Sequence, residues 1–284
     1  MIKKYFSIAL LLIVSLQGCK KEMMDYEGLE GVYFAVQHGT AFGNELVWPY
    51  QPDTDVEFAK ISGDETTVSI KVMITGPVKD YDRHFRVEIN PDSTTAVEGV
   101  HFEPIAGTVV IPADSVRAYV PVTLKRTPDL KEETKVIGLR LLPNEDFQLS
   151  FPHWDALPGY TSGPVTAEFD ASLHSIRVSD MMVQPAVWVG SVQEGNRESG
   201  QWGAFSQEKM ELMLSLMDEL TYDDFSSSAT MPTVLTGLIR DVCSRYLVEQ
   251  YEAGHPVLEK DGRLMFFGNV PWLSYVGVPY VPGT

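Results

Sequence analysis

Val68-Ser69-Ile70-Lys71-Val72-Met73-Ile74-Thr75 is the stretch that decides the fold class of this chain. Val68, Ile70, Val72 and Ile74 alternate with Ser69, Lys71, Met73 and Thr75, the period of two that a half-buried strand requires. Gly76-Pro77 ends the run. Downstream, Phe85, Val87 and Ile89 alternate with Arg86 and Glu88 before the turn formers Asn90-Pro91-Asp92. Val109 to Ile111 is a short strand, and Val116, Ala118, Val120, Val122 and Leu124 then alternate without a break. Pro121 lies inside that run and has no backbone N–H to give to a ladder, which predicts an edge strand or a bulge. Ile137, Leu139 and Leu141 continue the series, followed by Val165, Ala167 and Phe169, then Ile176 and Val178. Upstream, Val32-Tyr33-Phe34-Ala35-Val36 opens the folded part. Short strands at near-regular spacing over about 55–180 predict an immunoglobulin-like antiparallel β-sandwich.

Past residue 200 the period changes. Met210, Met213, Leu214 and Met217 fall at helical spacing behind Ser206, a good N-cap with Gln207 and Glu208 in the first turn. A second helix is predicted from Thr230 and Pro232, with Leu235, Leu238, Ile239, Val242 and Tyr246 on its buried face and Gly254 and Pro256 as its stop. Lys260-Asp261-Gly262 between Val257-Leu258 and Leu264 to Phe267 reads as a β-hairpin with Asp-Gly in its turn. The expected fold is mostly β with an α+β C-terminal part. Four segments are expected: a signal peptide over 1–18, a tether over 19–30, the sandwich over 31–180 and the α+β portion over 181–284.

The first segment has the chemistry of an export signal. Lys3 and Lys4 precede the apolar run Ile8 to Leu16, and Leu16-Gln17-Gly18-Cys19 supplies small residues at a cleavage point. The apolar run is about half of the roughly 20 residues needed to span a bilayer, which argues against a retained transmembrane helix. A cysteine directly after Leu-Gln-Gly resembles the lipobox of bacterial lipoproteins, and this likeness implies lipidation of Cys19 as the mature N-terminus. Two or more acyl chains make such an anchor lasting, because each buried CH₂ contributes about 0.8 kcal/mol.

Composition narrows the function classes. Hydrophobic residues make up 44% and charged residues 21%, an ordinary globular balance that excludes disorder for the bulk of the chain. The formal net charge of −17 becomes −19 if Lys3 and Lys4 leave with the signal. No run of Lys and Arg longer than Lys20-Lys21 or Lys125-Arg126 follows, so nucleic acid is excluded as a partner. With Cys19 acylated, only Cys243 remains, which leaves no pair for a disulfide. Cys243 falls within the second predicted helix, where a thiol acts as a small buried hydrophobe.

The chemical motifs are thin. Ser206-Gln207-Glu208-Lys209 has the spacing that presents a serine nucleophile to a lysine, but its companion Ser-Asp-Asn and Lys-Thr-Gly elements are missing and the serine is already explained as a cap. No Gly-x-Ser-x-Gly elbow, His-Glu-x-x-His helix or P-loop occurs, so no catalytic residue, metal ligand or cofactor site is assigned. Asp80, Asp82, Asp92 and Glu98 flank predicted strand ends, where a sandwich can hold calcium, though acidic turns explain them better. The aromatics say more, since sugar rings stack on exposed flat side chains. Trp48 with Tyr50, Trp154 with Tyr160, and Trp272 with Tyr275 all stand in proline-bearing loop text and form the candidate ligand-binding set.

Several stretches resemble one family. Cys19-Lys20-Lys21, Tyr26-Glu27-Gly28, Gly31-Val32-Tyr33-Phe34, Glu98-Gly99-Val100-His101-Phe102 leading to Val110-Ile111-Pro112-Ala113, and Phe205-Ser206 are similar to the Bacteroidetes lipoproteins catalogued as domain of unknown function 4843. The likeness extends from the signal to near the C-terminus. It implies an outer-membrane lipoprotein facing the periplasm or the cell surface, often encoded beside the importers and nutrient-binding lipoproteins of polysaccharide utilisation systems. No catalytic residues come with it. The middle segment is also similar to the calcium-binding beta repeat, except that His101-Phe102 stands where that repeat carries Asp-Tyr, which counts against a calcium site of that kind. The function expected is non-catalytic binding of a glycan or other nutrient at the envelope; the alternative is an adaptor that docks onto an outer-membrane importer complex.

Overall fold

The computed structural model describes residues 28–39, 44, 47–156 and 162–283. The signal, Cys19 and most of the expected tether lie outside these residues, as does Tyr160. Two sheets carry the first part of the chain. One is four-stranded, in the order β6 (Arg117–Lys125), β3 (Glu65–Thr75), β1 (Gly31–Phe34) and β8 (Gln148–Leu149). The other is five-stranded, in the order β2 (Asp53–Glu57), β11 (Leu173–Ser179), β7 (Lys135–Leu142), β4 (Arg83–Ile89) and β5 (Thr108–Ile111). A two-stranded piece, β9 (Trp154–Asp155) with β10 (Glu168–Phe169), packs Trp154 and Phe169 with Tyr33, Ala35 and Met73 on the face of the four-stranded sheet turned away from the five-stranded one.

The alternation read from the sequence becomes the face of each sheet. Ile70, Val72, Ile74, Val120, Val122 and Leu124 from the first sheet meet Phe85, Val87, Ile137, Leu139, Ile176 and Val178 from the second in one apolar core. Every second residue faces inward, so a slip of one residue in register would expose the whole set. The longest ladder pairs β3 with β6 from Glu65↔Lys125 to Met73↔Arg117. Pro121 faces Ser69 in it and is exposed on an edge strand, where its missing N–H costs no ladder bond.

The sandwich is not purely antiparallel. β1 runs parallel to β8 and β11 runs parallel to β2, both across long stretches of intervening chain. A parallel neighbour needs a crossover connection, so it cannot be read from turns between consecutive strands. Val165 and Ala167, expected to extend a strand with Phe169, lie outside β10, which keeps two residues.

The C-terminal part has its own core. β12 (Gly190–Val192) pairs with β13 (Glu198–Gly200), then α1 (Gln207–Leu216) and α2 (Thr233–Glu252) follow. Trp202, Met210, Met213, Phe225, Ile239, Cys243, Leu247, Met265 and Phe267 pack together. Met210 and Met213 are buried as their spacing predicted, while Leu214 and Met217 are half-buried at the margin. On α2 the face is turned from the expected one: Thr236, Ile239, Cys243 and Leu247 are buried, and Leu238 is 50% exposed. Ser244 is also buried and accepts from the Asn269 backbone, so polar residues sit on the inner face and blur the apolar stripe. The expected terminal hairpin is a turn closed by a single antiparallel bridge, Leu258↔Leu264, with the Glu259 N–H donating to the Arg263 carbonyl at 2.9 Å. Arg263, next to the bridge, is buried beside the carboxylates of Glu198 and Glu259.

Asp180 joins the two parts. Its N–H donates to Leu130 O at 2.8 Å, its carboxylate accepts from Arg126 at 3.1 Å, and its carbonyl accepts from Gln207 at 3.2 Å. Among the described residues no helix is long and apolar enough to cross a membrane.

Candidate functional site

The five aromatic candidates among the described residues fall in three places. Trp154 is a packing residue: its ring lies 4.5 Å from that of Tyr50, 5.0 Å from Phe151, 6.0 Å from Tyr33 and 6.2 Å from Phe169. Burial, then the neighbouring Tyr50, pushes the Tyr33 hydroxyl up to about 12. Tyr50 and Trp154 therefore meet in a cap over β1 and do not form an open platform. Trp272 donates its indole N–H to Met265 O at 3.1 Å and lies 5.1 Å from Tyr251. Trp272 and Tyr275 line one shallow groove of about 270 Å³ with Tyr251 and Tyr280.

Trp48 belongs elsewhere. Its ring is half-buried and stacked on His38, with 6.4 Å between centroids and 13° between planes. The pair lines a groove of about 260 Å³ against Val68 to Lys71 of β3. His38 also lines an open cleft of about 610 Å³, the size range of a small-molecule site, together with Gln51, Asp53, Asp55, Thr166 and Arg177.

The fold makes this cleft from distant residues. Parallel pairing sets Ser175 beside Asp53 and Arg177 beside Asp55, so alternate residues of two strands share one outward face. Arg177 then binds both aspartates: its Nε donates to Asp55 Oδ1 at 2.6 Å, and its terminal nitrogens donate to Asp55 Oδ2 at 3.0 Å and to the Asp53 oxygens at 2.9 and 3.0 Å. The hydrogen bonds from Arg177 hold the Asp55 carboxyl below the usual carboxylate range against its partial desolvation. Gln51 is also held at both ends of its amide, donating to Pro164 O at 2.7 Å and accepting from Thr166 at 3.2 Å. The result is a set of planar polar groups fixed by one another at the mouth of an open cleft.

Beneath it, Thr54 on the opposite face of β2 meets His174 Nε2 at 2.9 Å. His174 is 2% exposed, its Nδ1 has no hydrogen-bond partner, and burial pushes its pKa down to about 4, so the ring is neutral.

The remaining motifs resolve into structure. Ser206 Oγ accepts from the Lys209 N–H at 3.1 Å, so it caps α1. Lys209 Nζ points away from it, donating to Glu198 Oε1 at 2.8 Å and Ala204 O at 2.9 Å. Cys243 is buried, and burial pushes its thiol up to about 12, leaving it an inert hydrophobe. Asp82 accepts from the Ala113 N–H at 2.8 Å, and Asp80, Asp82, Asp92 and Glu98 do not converge: among the described residues no three metal-ligating side chains do. His101 accepts from the Val97 N–H at 2.8 Å and meets Asp129 Oδ2 at 2.9 Å, so it pins its loop to the sandwich.

Sequence reasoning missed His38, Gln51, Asp53, Asp55, Thr166 and Arg177. The acidic alternation in Asp53-Thr54-Asp55-Val56-Glu57 was the available signal, since a strand that shows charge on every second residue has one fully wet face. Nothing local tied it to Arg177.

Fold and cleft together define a two-sheet sandwich with an appended α+β portion and an open polar cleft along one sheet edge. Residues 31–162 match the family described as Domain of unknown function (DUF4843), the family the sequence resembles, over the sandwich and not over the C-terminal part. The fold is similar to a protein of unknown function from Bacteroides ovatus at 11% identity, covering 62% of this chain and 50% of that one, with a TM-score of 0.34. It is similar to a Bacteroides ovatus protein described as a candidate carbohydrate-binding protein at 10% identity, covering 58% and 40%, with a TM-score of 0.33. It is also similar to the calcium-binding domain CBD12 of CALX1.1 at 17% identity, covering 45% and 42%, with a TM-score of 0.31. The chain spans about half the length of these solved structures or less. No curated protein matches it.

Proposed function

We propose that this chain is a lipid-anchored, non-catalytic glycan-binding protein of the bacterial outer membrane, an accessory of a polysaccharide utilisation system. The observation that carries the reading is the cleft of mutually fixed polar side chains at Gln51, Asp53, Asp55 and Arg177, with the Trp48–His38 ring pair beside it. Sugars are bound by this combination. Planar carboxylate and amide groups take pairs of hydroxyls, and an aromatic face takes the C–H side of the ring. Side chains already locked to one another lose little entropy when a ligand arrives. The anchor rests on Leu16-Gln17-Gly18-Cys19.

Calorimetric titration against a glycan panel tests the binding. Trp48→Ala and Arg177→Met are expected to weaken the bound glycan at least tenfold, while Trp154→Phe, in the packed aromatic cap, leaves its affinity unchanged. Equal affinity in all three variants would remove the cleft from the reading. The anchor has a separate check: Cys19→Ser should move the protein from the membrane pellet to the soluble fraction of lysed cells.

A further inference from the structure

We propose that the cleft of His38, Gln51, Asp53, Asp55, Thr166 and Arg177 takes sugars that are uncharged or carry amino groups, and rejects uronic and sulfated sugars. This rests on the glycan-binding reading and adds the class of sugar. The argument begins with the cation. Arg177 is the one lysine or arginine lining the cleft among the described residues, and a bound acid would need its guanidinium. A guanidinium has five N–H donors, and a carboxylate ligand engages it through two parallel N–H bonds. Four donor contacts are already made, two to Asp53 and two to Asp55, on two edges of the group. No free pair of parallel donors is left for an incoming acid.

The acceptors are in the opposite condition. Each aspartate offers about four lone-pair sites and gives two contacts to Arg177. The Asp55 side chain is 59% exposed and that of Asp53 31%, so the unused lone pairs are open to a ligand. Their partners must be donors, and hydroxyl or ammonium groups are donors. Charge agrees with this count. Asp53, Asp55 and Glu57 line the cleft against Arg177, and Glu57 has Lys60 as its partner at 2.6 Å, so among the described carboxylates, lysines and arginines there the balance is one negative charge before a ligand enters. The protein as a whole is also strongly acidic, so an anionic chain is repelled at long range as well as in the cleft.

The test is a titration of the mature chain, carrying Cys19→Ser in place of the lipid, with matched sets that share a backbone: neutral oligosaccharides, their aminated forms such as chitosan oligosaccharides, and their uronate or sulfated forms. Neutral and aminated sugars are expected to bind, the aminated ones tighter at low salt, with acidic forms roughly tenfold weaker or more. Asp53→Asn together with Asp55→Asn frees the guanidinium and should raise affinity for the uronate form while lowering it for the aminated one. An acidic form bound by the unaltered cleft as tightly as its neutral counterpart would overturn the selectivity and leave glycan binding standing. Silence of a folded chain toward every set would overturn both.

Discussion

The two cores of this molecule are built on opposite principles. Between the sheets the strands bury alternating apolar side chains, and the buried polar residues Arg83, Asn90, His101, Ser150, Ser172 and His174 sit at strand ends or in the loop before β5. In the C-terminal part, charges are sunk into the core itself. The side chains of Lys209 and Glu198 are 0% exposed, Glu259 is 1% exposed and Arg263 8%. Lys209 lies 3.3 Å from Glu259, and Arg263 donates to Glu198 at 3.2 Å. Burial pushes the Glu198 carboxyl up, and Lys209 and Arg263 more than offset this, holding it below the usual carboxylate range. Even the backbone yields to the cluster: Gly203 has φ of 69°, and a Cβ there would come within 2.6 Å of Glu198 Oε1. The difference teaches how each half is specified. Strand alternation fixes the register of a sandwich without polar help. A part made of two helices, a tiny hairpin and loops has no long ladder, and directed polar contacts pin its loops: indole N–H groups of Trp188 and Trp202 to Gly203 O and Thr236 O, and the buried ions.

The sharpest way to break this contrast is Lys209→Met. It leaves Glu198 and Glu259 facing each other with Arg263 alone, and removing one member of a buried ion group costs about 3–5 kcal/mol. In guanidinium titrations, the C-terminal indoles, such as the buried Trp202, should report early unfolding while the far-ultraviolet β signal persists. A loss under about 1 kcal/mol would show that the ions are tolerated and do not hold the part together.

The sandwich's counterpart is a buried group kept neutral. His174 has a folded pKa of about 4 against about 6.5 when unfolded, so between these values the unfolded chain holds the extra proton. Its contribution is therefore complete above pH 6.5 and is lost as pH falls toward 4, by about 3 kcal/mol in all. His174→Gln keeps a donor or acceptor for Thr54 and does not titrate. The difference in stability between the two proteins should be flat above pH 6.5 and slope below it. A pH-independent difference would mean that the ring ionises freely in the folded state.

A smaller effect tests the reading of Ser206 as a cap. Ser206→Ala should cost about 1 kcal/mol, seen as a lower thermal midpoint, because the Lys209 N–H loses its acceptor. Ser206→Asp should restore it. Recovery with aspartate separates a cap from a nucleophile, since a carboxylate caps a helix as well as a hydroxyl does.

What the sequence made legible follows the same division. The short β2, β8, β9, β12 and β13 carried no apolar alternation, and Pro121, expected on an edge or at a bulge, lies on an edge strand. The two-residue period gave β3, β4, β6, β7 and β11 with their inward faces, because a strand's side-chain directions are local. The caps and the burial of Met210, Met213 and Cys243 were legible for the same reason. The inner face of α2 was not, because Thr236 and Ser244 are buried there and Leu238 is exposed, against the order of hydrophobicity. The cleft was half legible. Trp48 stood out by residue type, but the grip of Arg177 on Asp53 and Asp55 depends on a parallel pairing across 122 residues or more that no local pattern encodes. Lys209 was read through a serine motif, whereas its partners lie at Glu198 and Glu259, on segments whose approach only the fold decides.

The smallest expected effect concerns the seam between the halves. Lys260 meets Glu132 at 2.7 Å, but the side chains are 67% and 65% exposed, and Lys131 meets Glu211 at 2.7 Å with both partly exposed. Exposed pairs contribute about 0.2–1 kcal/mol and are screened by salt. A double-mutant cycle with Lys260→Ala and Glu132→Ala should give a coupling at the low end of that range, fading further at 1 M salt. The buried contacts of Asp180, which is 3% exposed, bind the C-terminal part through Gln207 and the sandwich through Arg126 and Leu130. Gln207→Ala, which removes the donor to the Asp180 carbonyl and the acceptor of the Met182 N–H, should therefore loosen the seam by more than the surface cycle does, measured as earlier exchange of amide protons in α1. If the surface pair proves the stronger, the halves are held by charge at their rims and would separate on raising salt. If Gln207 does, the seam is an extension of the two cores and salt leaves it closed.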